Sequence, residues 1–239
     1  MNRPVIGITL DWESTGSFSK RPYYALREHY FAAVYQAGGL PVAIPHLQEA
    51  IGEYLAGIQG LLVPGGEFAA PQEWYVASEE PFAYQASPRM EFDREIVGQA
   101  LALDMPLLGI CAGMQFMGCV QGCRMTRNVH THAKTSINHW DAKPAEEVAH
   151  DIHITPATLL SKIVRQQTFG INSHHQEALA EIAKGVVVNA VAPDGVIEGI
   201  ELAGKTFALG VQWHPEYLVS EGDREIFSAF IEAAKEYKQ

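Results

Sequence analysis

Three short motifs carry residue types that could do covalent chemistry together. The first is Gly109-Ile110-Cys111-Ala112-Gly113, at the end of the apolar run 106–110. A nucleophile on a sharp strand-to-helix turn is an elbow that presents its side chain to a cleft. Such a turn crowds the backbone, so its neighbours must be small, and Gly109, Ala112 and Gly113 are. The helix that follows aims its N-terminus at the thiol and favours the thiolate. The N–H of Ala112 is placed to face a developing oxyanion. Taken alone, the pattern fits a small buried residue at a tight turn equally well.

A cysteine nucleophile needs a base. In GVQWHPE (210–216) a strand-like run ends at His214, with Glu216 two residues on. A carboxylate there can fix the histidine tautomer and stabilise the imidazolium, and Pro215 stiffens the link. The third motif is Pro64-Gly65-Gly66, after the run 60–63. Two glycines let backbone amides approach a ligand closely and supply a second oxyanion donor.

Positioning these motifs requires a framework. Short apolar runs alternate with amphipathic stretches, which predicts βα units and a mainly parallel sheet. Strands are predicted at 5–10, 40–45, 60–66, 106–110, 151–155, 168–173, 185–192, 196–202 and 206–213. Helices are predicted at 23–37, 48–57, 91–104, 112–121 and 221–237. Pro193-Asp194-Gly195 is a tight turn, so the strands beside it form an antiparallel hairpin. Residues 67–90 and 124–147 lack periodicity. The aromatic segment EWYVASEEPFAY (73–84) fits either a pocket wall or a solvated acidic loop. The expected architecture is a three-layer α/β/α sandwich with an antiparallel extension, one domain spanning 1–239.

Composition narrows the function classes. The formal net charge is −11 over 239 residues, which disfavours nucleic acid and anionic membrane surfaces as partners. No apolar run reaches transmembrane length. The N-terminal stretch lacks the features of a signal peptide, so a cytoplasmic location is expected. Cys111, Cys119 and Cys123 do not make a disulfide framework. Cys119 and Cys123 could share a helix face; with no second ligand pair at zinc spacing they read as small buried hydrophobes. His130 and His132 alternate at strand spacing, and His139 follows. No carboxylate joins them at a familiar spacing, and the chemistry above needs no metal. No metal and no cofactor are expected.

The three motifs, in this order, resemble those of the class I glutamine amidotransferases: a glycine loop, a G-x-C-x-G-x-Q elbow (Gly109 to Gln115) and a terminal His214-Pro215-Glu216. The chain is more closely similar to the branch of γ-glutamyl hydrolases typified by γ-glutamyl-γ-aminobutyrate hydrolase. AGGLP (37–41), INSHHQ (171–176) and APDGVIEGIE (192–201), before FALGVQWHPE (207–216), carry that likeness across nearly the whole chain. The resemblance implies a flavodoxin-like fold and hydrolysis of a γ-glutamyl amide through a thioester on Cys111. It implies His214 as base and acid, Glu216 as its orienting carboxylate, and the amides of Gly66 and Ala112 as the oxyanion hole. Gly65, Gln115, Ser173, His174, His175 and Gln176 fall where this branch contacts substrate. The partner expected is a small γ-glutamyl molecule, with a homodimer common among relatives. The alternative is a glutaminase subunit that passes ammonia to a synthetase. The sequence departs from the branch pattern at Ala112, where arginine is common, at Glu67-Phe68, and at QGCRMTRN (121–128). These positions line the expected pocket and bear on which amine is released.

Overall fold

The computed structural model describes residues 3–77, 83–84, 87–140 and 143–238. In chain order the elements are β1 (Val5–Thr9), β2 (Asp11–Glu13), β3 (Tyr23–Ala25), α1 (Glu28–Gln36), β4 (Leu40–Ile44), α2 (Ile51–Ala56), β5 (Gly60–Val63), α3 (Pro88–Ala102), β6 (Leu107–Ile110), α4 (Ala112–Val120), β7 (Arg124–Thr126) and α5 (Val129–Ala133). They continue with β8 (His150–Ile154), α6 (Leu159–Val164), β9 (Thr168–Ile171), β10 (Ala178–Glu181), β11 (Val186–Val191), β12 (Ile197–Leu202), β13 (Ala208–Val211) and α7 (Glu221–Glu236).

Nine strands form one sheet in the order β4-β1-β5-β6-β13-β12-β11-β8-β9. From β4 to β13 the neighbours run parallel, and from β13 to β9 they run antiparallel. The central parallel strands β5, β6 and β13 are apolar and wholly buried, as strands covered on both faces must be. Side chains alternate between the faces. Leu61, Val63 and Leu107 pack with α2, α3 and α4 on one side. Ile6, Ile8, Leu62, Leu108 and Ile110 pack with α1, α6 and α7 on the other. This is the expected three-layer sandwich with its antiparallel extension, flavodoxin-like in its parallel half. The hairpin across Pro193-Asp194-Gly195 forms as predicted, between β11 and β12.

Some boundaries move for identifiable reasons. Residues 23–25 are not helical: Tyr23–Ala25 pairs with Asp11–Glu13 as a separate ribbon, and α1 begins at Glu28. The irregular stretch 124–147 contains β7 and the short helix α5. Helix α6 and strand β10 fall where no element was predicted. Strand β13 stops at Val211, three residues before His214. Trp213 is fully buried there and its Nε1 donates to Asp223 Oδ1 at 2.9 Å. Asp223 also closes the capping box of α7 with Ser220, so this anchor fixes the chain just before His214. Among the described residues, no helix is long and apolar enough to cross a membrane.

Candidate active site

The three motifs converge at the C-terminal edge of the parallel strands, where open α/β sheets place their clefts. Pro64-Gly65-Gly66 follows β5, Cys111 follows β6 and His214 lies just beyond β13. These strands are sheet neighbours, so residues over a hundred positions apart in sequence meet.

The elbow at Cys111 is sharp. The residue has φ 51° and ψ −108°, a strained conformation for a residue with a side chain. It is held by neighbours on both sides: its N–H donates to Val211 O at 2.8 Å, and its carbonyl accepts from Gln115 N at 3.2 Å. The small flanking residues are obligatory. A Cβ on Gly109 would come within 2.6 Å of the Gly113 backbone, and one on Gly113 would collide with the Val63 carbonyl. Helix α4 starts directly at Ala112, whose N–H is therefore free of intrahelical bonding.

His214 stands against Cys111. Its Nδ1 lies 2.8 Å from Glu216 Oε1, so Nδ1–H donates to the carboxylate and Nε2 is directed to the other side of the ring. Burial alone would depress the His214 pKa. The Glu216 carboxylate, followed by a hydrogen bond and charge interaction with Cys111, overrides this and raises it to about 10. The imidazole is therefore held as imidazolium at neutral pH, facing the sulfur. Asn172 fixes the backbone of this residue from both ends: Oδ1 accepts from His214 N at 2.8 Å, and Nδ2 donates to His214 O at 2.9 Å.

The glycine loop closes over the pair. A Cβ on Gly65 would lie 2.8 Å from His214 Cε1 and 3.1 Å from Cys111 Cβ, so only glycine fits there. Arg89, fully buried, holds the loop from beneath. Its Nη2 donates to Pro64 O at 2.7 Å, its Nη1 contacts Gly65 O at 3.4 Å, and it pairs with Asp11 and Asp93. The peptide is trans. With the Gly65 carbonyl turned to Arg89, the Gly66 N–H points the opposite way. Gly66 itself has φ 141°, and a Cβ there would run into Arg89 and Asp11.

A cavity of about 500 Å³ opens over these groups and includes Gly66, Cys111, Gln115, His174, His175, Gln176 and His214 in its lining. Its charged lining is Asp11, Glu13, Glu67 and Glu177 together with Arg27. A smaller adjoining cavity of about 270 Å³ shares Arg27, His174 and His214 and adds Lys143. Carboxylates thus outnumber cations in the larger cavity, Arg27 and Lys143 are the cations of the smaller one, and His214 lines both. Arg27 Nη2 lies 3.1 Å from the Tyr30 hydroxyl and 3.9 Å from Glu216 Oε1. The Tyr30 hydroxyl also accepts from Gly65 N at 3.0 Å.

The remaining predicted residues divide. Gln115 lies on the cavity wall, but its Nε2 is committed to Glu177 O and Gln212 Oε1, each at 3.1 Å. Ser173 is buried and donates to His139 O at 2.9 Å; it is not among the cavity-lining residues. His174 is exposed and stacks on Trp140 with ring centroids 4.3 Å apart. His175 turns away toward Glu198, at 3.4 Å. Gln176 lines the cavity. Trp74, Tyr75 and Val76 of the aromatic segment are buried in the core; Phe68 faces the cavity instead. Residues 78–82 of that segment lie outside the described residues. Cys119 and Cys123 are free and buried, and burial pushes both thiols up.

Sequence reading misses Arg27, Tyr30, Arg89, Trp140 and Asn172. Asn172 sits inside INSHHQ (171–176), so the motif contains it without revealing its role. The others act through contacts that no local pattern encodes.

Comparison with known proteins places the chain among relatives. The chain is 31% identical to a glutamine amidotransferase-like protein of Rickettsia prowazekii, covering 98% of each chain. It is 28% identical to the γ-glutamyl-γ-aminobutyrate hydrolase of Escherichia coli K12, covering 99% of this chain and 96% of that one. Among solved structures it is similar to a Thermoplasma acidophilum protein described as part of a GMP synthase, with TM-score 0.67 and 15% identity over 98% and 96% of the two chains. That likeness supports the fold alone. The peptidase C26 family model matches residues 4–216, and with a Cys-His-Glu cleft inside that span the chain belongs to the peptidase C26 family, hydrolases of C–N bonds.

Proposed function

We propose that the protein hydrolyses γ-glutamyl amides through a thioester on Cys111. The observation that carries this is the convergence of Cys111, His214 and Glu216 under the glycine loop, with His214 Nδ1 2.8 Å from Glu216 Oε1. The Cys111 sulfur attacks the δ-carbonyl carbon, and the π electrons move to oxygen. The N–H groups of Gly66 and Ala112 receive the oxyanion. As the tetrahedral intermediate collapses, the C–N bond breaks and His214 gives its proton to the leaving amine. Water then attacks the thioester and passes a proton to His214. The C–S bond breaks, releasing glutamate and returning the Cys111 sulfur to its starting state beside protonated His214.

The charges of the cleft suggest which way the substrate lies. Arg27 and Lys143 suit the α-carboxylate of the γ-glutamyl group. The carboxylates of Asp11, Glu13, Glu67 and Glu177 outnumber Arg27 in the larger cavity, although Asp11 is already paired with Arg89 and Glu177 accepts from Tyr75. This excess fits an amine leaving group that bears a second cation, such as a diamine, and disfavours a carboxylated amine such as γ-aminobutyrate. Arg27 thus supplies from α1's N-terminal flank a positive charge that relatives often carry next to the nucleophile.

The test is a panel of glutamine, a γ-glutamyl diamine and γ-glutamyl-γ-aminobutyrate, assayed for glutamate release by the protein alone. The expected order places the γ-glutamyl diamine first in kcat/KM. A preference for the carboxylated amine would overturn the assignment from the carboxylate excess. Release from glutamine only, and only with a synthetase present, would favour an ammonia-delivering role instead.

A further inference from the structure

A second cluster lies behind the active-site wall. His139, His150 and His175 surround the carboxylate of Glu198, which is fully buried. His139 Nδ1, His175 Nε2 and His150 Nε2 stand 3.1, 3.4 and 3.7 Å from Glu198 Oε1. None of these nitrogens, and neither Glu198 oxygen, has a hydrogen-bond partner of acceptable geometry among the described residues. Five buried polar atoms left in this way are costly.

The outer nitrogens explain how the rings are set. His150 Nδ1 lies 3.1 Å from Asp151 O, and His175 Nδ1 lies 3.0 Å from Glu177 O. A carbonyl only accepts, so each of these nitrogens carries its proton. His139 Nε2 lies 3.0 Å from Asp194 Oδ2, and that carboxylate is further held by Thr135 and by Val196 N. In the neutral rings, therefore, all three inner nitrogens present lone pairs to a carboxylate. Lone pairs converge on an anion only with a cation between them, either a proton on a ring or a metal ion. An outer N–H fixed by a carbonyl or carboxylate, with the inner nitrogen turned to a shared point, is how proteins orient histidine metal ligands. The spacings fit: metal–ligand bonds of about 2.0–2.1 Å in a tetrahedron put ligands about 3.3 Å apart. The donor atoms of His139, His150 and Glu198 all lie within 4.8 Å of one another.

We propose that His139 Nδ1, His150 Nε2 and Glu198, with His175 Nε2 closing in as fourth ligand, form a structural site for a divalent transition ion of the Zn²⁺ class. This revises the expectation of no metal, which considered His139 with His130 and His132. Those two residues lie on α5, apart from the cluster, and the partners His150, His175 and Glu198 are distant in sequence. Imidazole and carboxylate together suit Zn²⁺ or Co²⁺ rather than Ca²⁺ or Mg²⁺. The ion joins β8, the start of β12, the segment before Trp140 and the turn after β9. It therefore fastens the Trp140–His174 wall from behind, while Cys111 and His214 keep their own hydrogen bonds. It takes no part in the proposed thioester chemistry.

The test is metal content. The purified protein is loaded with Zn²⁺ or Co²⁺, dialysed against metal-free buffer, and assayed by elemental analysis and by Co²⁺ absorption. The expected result is one ion per chain, a tetrahedral Co²⁺ spectrum and a raised Tm. His150→Gln, at the partly exposed edge of the site, should lower affinity at least tenfold with unchanged circular dichroism, and Glu198→Gln more. The double variant His130→Ala/His132→Ala should keep the ion. A folded wild-type protein that retains no stoichiometric ion would overturn the proposal. So would an ion that survives in folded His150→Gln at full affinity, or one that leaves with His130 and His132. Because the readout is bound metal, inactivity toward γ-glutamyl amides would leave this result intact, and loss of the metal site would leave the thioester reading intact.

Discussion

At the scale of single residues, His214 carries the sharpest consequence. Its folded pKa is about 10 against an ordinary 6.5. A raised folded pKa stabilises the protein below the unfolded value, and the contribution fades as pH climbs through the folded one. Thermal melts should therefore lose Tm between about pH 6.5 and 10. Glu216→Gln removes the main charge that raises the pKa, so its Tm should be flatter over that window. Parallel curves for the two proteins would contradict the assignment. The same variant should lower kcat by roughly 10²–10⁴, by analogy with removal of an orienting carboxylate from a triad. Gly65→Ala makes a separate test of fit. Its added methyl has no room between His214 and Cys111, so turnover should fall by at least about tenfold in a protein that still folds, measured as kcat beside a circular-dichroism spectrum.

At the scale of elements, the strand-to-loop junctions position the proposed chemistry, and their supports are testable. Arg89 on α3 holds the glycine loop while pairing with Asp93, and both are buried. Arg89→Met leaves Asp93 buried without its partner, which should cost about 3–5 kcal/mol in denaturant unfolding. A change below about 1 kcal/mol would mean that the pair does not anchor the loop. The elbow, the glycine turn and the His-x-Glu motif were legible in sequence because each is a local pattern: a few residues whose types are fixed by backbone crowding or by proximity to one another. Arg89, Asn172 and Tyr30 were not, because their partners lie 25, 42 and 35 positions away. The misread 23–27 has the same origin. Tyr23 and Tyr24 continue the apolar spacing of α1, but pairing with β2 decides their conformation. The strands and the α7 face were readable because period and burial agree there: Ile226, Phe227, Phe230 and Ile231 are all buried as expected.

At the scale of the whole molecule, the cleft gathers charges of both signs: Arg27 lines it with Asp11, Glu13, Glu67 and Glu177, and Lys143 joins Arg27 in the adjoining cavity. Arg27→Ala should raise KM for γ-glutamyl substrates about tenfold while kcat changes less, since it removes binding common to the ground and transition states. An equal fall in kcat would place Arg27 in the chemical step. Topology explains why the charge pattern escaped sequence reading: its members come from β2, from the segments before α1 and before β8, and from those after β5 and β9, and only the fold brings them to one cleft. The net charge of −11 gave no hint of the two cations there.

The central claim is that Cys111 forms a covalent γ-glutamyl thioester. Intact-mass spectrometry of the acid-quenched protein, mixed with a γ-glutamyl amine and then digested, reads it directly. The account predicts one γ-glutamyl adduct, mapped to the peptide containing Cys111 and absent from Cys111→Ala, which should also lose turnover by at least about 10³-fold. An adduct on Cys119 or Cys123, or undiminished glutamate release by Cys111→Ala, would contradict it.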